Sequence, residues 1–170
     1  MRRMSAVLRL ALLTLAALGP VAARAQLTIP YGAAIPTETA RKAAAAALAE
    51  GKKNGWTVAV AVVDPAGVLV YFERHDGTQN ASSEVSQAKA RSAATFKRPT
   101  KAFEEALAGP AGTAPPVGRL AILGLPGAIP LDGGLPIVVD GKIVGAIGVS
   151  GGTSAQDGQC AKAGVDALAK

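Results

Sequence analysis

The chain has 170 residues, 49% of them hydrophobic, which suits one domain with an adequate core. A single cysteine excludes an internal disulfide, and one cysteine with one histidine cannot build a zinc site of the usual kind. The 18 lysines and arginines against 12 acids form no block interleaved with aromatic residues, so we set nucleic-acid binding aside.

Residues 1–25 have the features of a secretory signal peptide. Two arginines follow the first Met, residues 8–18 are an apolar run too short to span a bilayer, and Ala23-Arg24-Ala25 is a small-x-small cleavage site. We therefore predict an exported protein, periplasmic or secreted, with one mature domain over residues 26–170. Four of the 18 basic residues lie in the signal, which leaves 14 against 12 acids and weakens the case for an anionic membrane partner.

The first predicted elements are a helix and a hairpin. The helix begins at Thr37 and is stopped by Asn54-Gly55, a pair that favours the left-handed conformation. Residues 57–64 are strongly β-branched, and residues 68–74 resume the apolar pattern after the turn at Pro65-Ala66-Gly67. Two such runs joined by a short turn predict an antiparallel hairpin.

A longer helix follows the polar loop at residues 76–80. It begins at Ser82 or Ser83 and runs to about Lys97. Its helical spacing predicts that four residues are buried, namely Val85, Ala88, Ser92 and Phe96. A short helix is predicted over residues 100–107, with Thr100 as its cap.

The second half of the chain begins with a loop rich in glycine and proline at residues 109–118. Residues 119–123 are predicted to form a short strand. Residues 135–140 and 142–150 then form a hairpin across Asp140-Gly141, a turn pair that favours positive φ.

Thr153 or Ser154 caps the last helix, on which Cys160 is expected to be a small buried residue rather than a reactive thiol. The elements therefore follow the order α-β-β-α-α-β-β-β-α. This order predicts an α+β fold, a single domain with a five-stranded, mainly antiparallel sheet packed by helices.

Residues 148–152, GVSGG, match the G-x-S-x-G motif of serine hydrolases. A serine nucleophile needs a base to take its proton, and His75 is the only histidine. His75 precedes Ser150, whereas the histidine comes last in α/β-hydrolases. The order His75, Asp132, Ser150 suits a trypsin-like enzyme, which needs two β-barrels and a longer chain. We therefore do not interpret Ser150 as a nucleophile.

The glycines of this segment have two other interpretations. They permit backbone or ligand to approach the strand closely. Unbonded N–H groups at 151–153, beside a helix N-terminus, would favour an anion such as a carboxylate, with Ser150, Gly151 and Gly152 as contact residues. Alternatively, the small residues only permit helix packing and a tight turn.

Three segments occur in a fixed order: VAVAVVDPAGVLVYFERHDG (58–77), SQAKARSAATF (86–96) with RPT (98–100), and GGLPIVVDGKIVGAIGVSGG (133–152). Together they resemble the GlcG/HbpS-like haem-binding proteins, a family that includes the C-terminal domain of PduO-type proteins. The likeness covers nearly the whole mature chain. It implies a profilin-like α/β sandwich, assembly into homo-oligomers, and haem or tetrapyrrole binding.

The resemblance also draws attention to several side chains. Lys89-Ala90 matches a Lys-Ala pair of the family, and Lys89 would pair with a haem propionate; otherwise it covers the core edge or pairs with Asp64. Strand alternation puts Arg74 and Asp76 on one face and His75 on the other. Arg74 would hold a second carboxylate or pair with Asp76. His75 would be an axial ligand of haem iron or an exposed loop residue, since relatives often have Met or another residue there.

These residues support three hypotheses. The first is an exported, non-catalytic haem-binding protein for haem sensing, storage or uptake, with Lys89 and Arg74 near the propionates and His75 near the iron. The second is an enzyme or sensor for a small carboxylate, which would use Lys89, Asp64 and the amides of Gly151–Thr153. The third is a structural homo-oligomer without a ligand.

Overall fold

A computed structural model describes residues 29–108, 114 and 117–169. The predicted signal peptide and most of the predicted loop at 109–118 lie outside the described residues. Within the described part, no helix is long and apolar enough to cross a membrane. The elements in chain order are α1 (Thr37–Lys53), β1 (Ala59–Val63), β2 (Leu69–Arg74), α2 (Ala81–Phe96), α3 (Lys101–Leu107), a 3-10 helix (Val117–Gly124), β3 (Gly134–Val139), β4 (Lys142–Ser150) and α4 (Ser154–Asp166).

The four strands form one antiparallel sheet in the order β2-β1-β4-β3. All five residues of β1 are buried, because helices cover both faces of the sheet. Val60 and Val62 pack with α1 and α4 on one face, whereas Ala61 and Val63 pack with α2 on the other. The predicted α+β class, with helices packed on an antiparallel sheet, is therefore confirmed.

Both predicted hairpins are present. β1 and β2 pair with Ala59 opposite Arg74, and a turn with Gly67 at φ 84° joins them. β3 and β4 are joined by Asp140 and Gly141 at φ 49° and 70°. Positive φ at both central residues is what a two-residue type I′ turn requires, so the Asp-Gly pair sets the register of this hairpin.

The predicted strand at residues 119–123 is wrong, and the described sheet has four strands rather than five. These residues belong to the 3-10 helix Val117–Gly124, which exposes Leu120 and Leu123. A short apolar run does not by its periodicity distinguish strand from helix. This run is rich in leucine and alanine, which favour helical backbone over the pleated conformation of β-branched residues.

α2 contacts the sheet through a different face from the predicted one. Val85, Ala88 and Phe96 are only half-buried. A Cβ on Gly148 would lie 2.0 Å from the carbonyl oxygen of Ser86, and one on Gly134 would lie 2.5 Å from that of Lys89. The helix therefore rests directly on strand backbone, which leaves room mainly for small side chains. The buried residues of α2 are Ser82, Ser86, Lys89, Ala90, Ser92, Ala93 and Ala94.

Cys160 on α4 is fully buried, as expected. Burial, reinforced by the carboxylate of Asp157, raises the pKa of its thiol to about 11. Because the thiolate is the reactive form, this residue behaves as a small core side chain near neutral pH.

Replacing Gly148 with alanine should be strongly destabilising, because the new methyl group would collide with α2 backbone at 2.0 Å from Ser86 O and 2.5 Å from Ala90 N. We expect a loss of at least about 3 kcal/mol in the free energy of unfolding, at the upper end of overpacking effects. Urea denaturation measures it. Gly118→Ala is the matched control, since a Cβ there meets nothing within 4 Å. Equal stability of the two variants would contradict the close packing of α2 on β4.

Candidate functional site

The largest fully buried side chain among the described residues is that of a charged residue, Lys89. Its ammonium donates to Asp157 Oδ2 at 2.7 Å and to the carbonyl oxygen of Val149 at 3.0 Å. The Lys89 and Asp157 side chains are 2% and 4% exposed. A buried charge without a partner is strongly destabilising, so each of these residues depends on the other. The pair fixes α2 to the first turn of α4 at the end of β4.

The ammonium of Lys89 occupies a gap in the ladder between β3 and β4. Val149 N–H donates to the oxygen of Gly133 at 2.9 Å, but Gly133 N–H donates to Asp132 Oδ1 at 2.7 Å. The oxygen of Val149 is therefore left for the lysine. Gly133 has φ 118°, and a Cβ there would lie 2.7 Å from Val149 O and 3.0 Å from Lys89 Nζ. Both the conformation and the space at this position require glycine.

The amides that were candidates for an anion site are largely engaged. Asp157 Oδ1 accepts from Gly152 N–H at 2.9 Å. Thr153 and Gln156 form a capping box, in which Thr153 N–H donates to Gln156 Oε1 at 2.9 Å. Two of the three amides at 151–153 are thus satisfied by side chains of the helix that follows them.

The glycines of β4, and Gly151 directly after it, make room for the protein's own backbone. A Cβ on Gly145 would lie 2.3 Å from the oxygen of Val63, and one on Gly151 would lie 2.2 Å from the oxygen of Thr57. With Gly148 against α2, every one of these approaches is between backbone segments. The small residues of the hairpin therefore act in packing.

Ser150 and Arg74 flank Ala59 on neighbouring strands, and the register places all three in one row. Ser150 is 5% exposed, whereas Arg74 is exposed. His75 does not act as a base for Ser150, because its Nδ1 accepts the N–H of Val58 at 3.3 Å. Ser150 therefore has no base in this row to act as its proton acceptor.

The other predicted acids lie apart from Lys89. Asp64 is at the opposite end of β1 and accepts from Ala66 N–H and Val68 N–H at 2.8 and 2.9 Å, so it stabilises the β1–β2 turn. Asp76 is exposed beyond β2. The predicted residues are not brought together: Lys89 lies between β3 and β4, and His75 follows β2 at the far edge of the sheet.

His75 instead lines a crevice of about 290 Å³ with Lys52, Gly55, Trp56 and Thr57. The crevice lies where the end of α1 meets the start of β1 and the end of β2. Trp56 is half-buried against the core, and Lys52 is exposed. The only histidine and the only tryptophan of the chain therefore face the same small hollow.

Two backbone hydrogen bonds hold His75 in place. Its N–H donates to Val58 O at 3.0 Å, and its Nδ1 accepts from Val58 N–H at 3.3 Å. Because Nδ1 is the acceptor, the proton of the neutral ring is on Nε2. The ring lies beside Gly51 of α1, where an added Cβ would lie 3.5 Å from His75 Cε1, an ordinary van der Waals contact, and only 3.0 Å from Val58 Cγ2.

A second hollow, of about 550 Å³, lies between the start of α3, β3 and α4. Pro99, Leu135 and Ala155 supply apolar surface, and Lys101 and Lys162 supply positive charge. The described residues that line it include no aromatic ring and no imidazole. It is larger than the crevice at His75 but offers a ligand no flat stacking surface.

Sequence reasoning missed the residues that complete these two arrangements. Asp157 is in the first turn of α4, where an acid is usual, so nothing local marks it as the partner of Lys89. Lys52 and Trp56 flank the predicted helix stop and have no motif around them. The useful signal was the rarity of Trp56 and His75, which are each the only residue of their type.

The comparisons with known proteins agree with this fold. The family model described as "Haem degrading protein HbpS-like" matches residues 35–166. The chain belongs to this family. The match extends from the residue before the cap of α1 to the end of α4, so it includes every helix and strand described above.

Individual relatives of the HbpS-like chain support the assignment. Protein GlcG of Escherichia coli (strain K12) is 43% identical over 106 residues, which cover 62% of this chain and 73% of GlcG. A double mutant of Streptomyces reticuli HbpS has 33% identity and a TM-score of 0.71, covering 89% of this chain and 98% of that one. The "PduOC:Heme Complex" has 24% identity and a TM-score of 0.66 over 79% and 94% of the two chains, a likeness of fold.

The buried ion pair can be tested by a double-mutant cycle with Lys89→Met and Asp157→Asn. Each single substitution leaves a buried charge without its opposite charge, so we expect each to lower the free energy of unfolding by about 3–5 kcal/mol. The double variant should lose less than the sum of the two, because residues in contact are coupled. Urea denaturation at neutral pH measures all three.

Lys162→Met is the matched control, because its pair with Asp166 is exposed on α4. Exposed pairs of this kind contribute about 0.3–0.5 kcal/mol. If Lys89→Met cost no more than this control, the amine of Lys89 would not be held as the structure shows.

Proposed function

We propose that this HbpS-like protein is an exported haem-binding protein that holds haem in the crevice of Trp56 and His75. The observation that carries the proposal is the meeting of the chain's only indole and only imidazole in one hollow, beside Lys52, in a member of a haem-degrading family. The larger hollow lacks any such ring among its described lining residues.

The crevice suits the ring and the carboxylates of haem. The half-buried indole of Trp56 offers a flat apolar surface of the kind on which ring systems stack. The ammonium of Lys52 and the Nε2–H of His75 are both donors, and donors of this kind bind carboxylates such as propionates. When bound, haem supplies its iron for redox and ligand chemistry. The protein supplies the stacking surface and the donors.

The crevice suits the iron of haem less well than it suits the porphyrin ring. An axial imidazole must offer a lone pair, and His75 uses the lone pair of Nδ1 for Val58 N–H and carries its proton on Nε2. We therefore propose His75 as a donor to a carboxylate. Lys89 is left out of the haem site because Asp157 already balances its charge.

A crevice of about 290 Å³ is at the lower limit of small-molecule sites, so it encloses part of a macrocycle. We propose that a second subunit covers the remainder in a homo-oligomer. The 3-10 helix supports association, because Val117 and Leu123 are 84% and 64% exposed. These exposed apolar side chains would be available for contact with a neighbouring subunit.

The haem proposal is tested by titrating the purified chain with hemin. We expect a saturable Soret shift together with quenching of the tryptophan fluorescence, which comes from Trp56 alone. Lys52→Glu should weaken hemin binding about tenfold, since it reverses the charge that faces the propionates. A Soret band that decays on addition of a reductant in air would show degradation instead of binding alone.

Lys53→Glu is the control, because Lys53 is adjacent in sequence, 74% exposed and paired with Glu50 outside the crevice. It should change hemin affinity by less than about twofold. If Lys162→Glu weakened binding and Lys52→Glu did not, hemin would occupy the larger hollow and the proposed site would be wrong.

Export is tested separately by expressing the full chain in a bacterial host and measuring the mass of the protein outside the cytoplasm. The predicted cleavage after Ala25 gives a mature chain that begins at Gln26, because small residues occupy the two positions that the signal peptidase reads. Replacing Ala23 and Ala25 with bulky residues should block the cleavage. A chain of full mass confined to the cytoplasm would contradict export.

A further inference from the structure

We infer that the crevice recognises the carboxylates and the flat ring of a tetrapyrrole and not its metal, so that metal-free porphyrins are ligands as well. This inference rests on the proposed haem-binding function and concerns the chemical class of ligand that the same site accepts. It follows from the way His75 is fixed to β1.

Hydrogen bonds to Val58, directly before β1, orient the His75 ring. The two hydrogen bonds between His75 and Val58 continue the β1–β2 ladder one position beyond the pair of Ala59 and Arg74. Here the side chain accepts the strand N–H. The ring is thus part of the sheet's own hydrogen bonding.

Val58 cannot easily release its hydrogen bond to the His75 ring. Val58 has 0% exposure, so water does not replace the acceptor if His75 turns away. A buried N–H without an acceptor is costly. The ring also lies against α1, where Gly51 comes close to both Val58 and His75 Cε1. Nδ1 therefore remains an acceptor and Nε2 keeps its proton.

The tautomer of His75 determines what its ring offers a ligand. A protonated Nε2 donates a hydrogen bond and has no lone pair for a metal. To bind a metal through Nε2, the ring proton would have to move to Nδ1, where it would face the N–H of Val58. Together with the ammonium of Lys52, the crevice presents two donors for carboxylates beside the indole of Trp56. None of these three contacts would involve a metal at the centre of the macrocycle.

The experiment compares hemin with metal-free protoporphyrin IX and with the dimethyl ester of protoporphyrin IX, using quenching of Trp56 fluorescence as a common readout. We expect protoporphyrin IX to bind within about fivefold of hemin, and the ester to bind at least about tenfold more weakly because its carboxylates are blocked.

Two variants of His75 separate donation from ligation. The side-chain amide introduced by His75→Gln has both an acceptor for Val58 N–H and an N–H donor, so this variant should retain most of the affinity and leave the Soret position of bound hemin unchanged. His75→Leu keeps neither group and should weaken hemin and protoporphyrin IX alike. Urea denaturation of both variants checks that they fold.

The outcomes distinguish this inference from the proposed function. If hemin binds and protoporphyrin IX does not, or if His75→Gln shifts the Soret band as much as His75→Leu, the iron is ligated and the inference is wrong while haem binding stands. If neither porphyrin quenches Trp56, the proposed haem site and the inference both fail.

Discussion

The buried ion pair of Lys89 and Asp157 is the interaction on which the arrangement of this domain depends. It joins α2, on one face of the sheet, to the first turn of α4, which packs on the other face. Lys89 also donates to the carbonyl oxygen of Val149 at the end of the ladder. Gly133 N–H does not bond to this oxygen, because it donates to Asp132. Breaking a buried pair leaves one uncompensated charge, so the pair specifies where these elements meet.

The glycines of β3 and β4 follow from the same constraint. For Lys89 to reach Val149, α2 must lie close to the strands, and Gly134 and Gly148 permit contact between helix and strand backbone. The segment that resembles a catalytic or anion-binding loop is therefore a packing surface followed by a capped helix. The proposed ligand site lies at the opposite edge of the sheet, where β2 ends.

At that edge, the arrangement of His75 decides which ligand chemistry the crevice offers. The imidazole completes the hydrogen bonding of Val58, and its remaining N–H joins Lys52 as a donor beside Trp56. A sequence that contains a single histidine invites its assignment to iron, because imidazole is the strongest neutral ligand present. The backbone contact of Nδ1, which no sequence pattern shows, favours a donor over a metal ligand as the proposed role of His75.

The sequence by itself determined the local structure: the hairpins at Gly67 and Asp140-Gly141, the end of α1 at Asn54-Gly55, the start of α4 at Thr153 or Ser154, and the family through its ordered segments. These features depend on neighbouring residues, whose turn and cap preferences act over a few positions. Tertiary structure decided the partner of Lys89 and the meeting of Trp56 with His75. Each of these depends on contacts between segments distant in the chain. Such contacts produce no periodic pattern in the sequence of either segment.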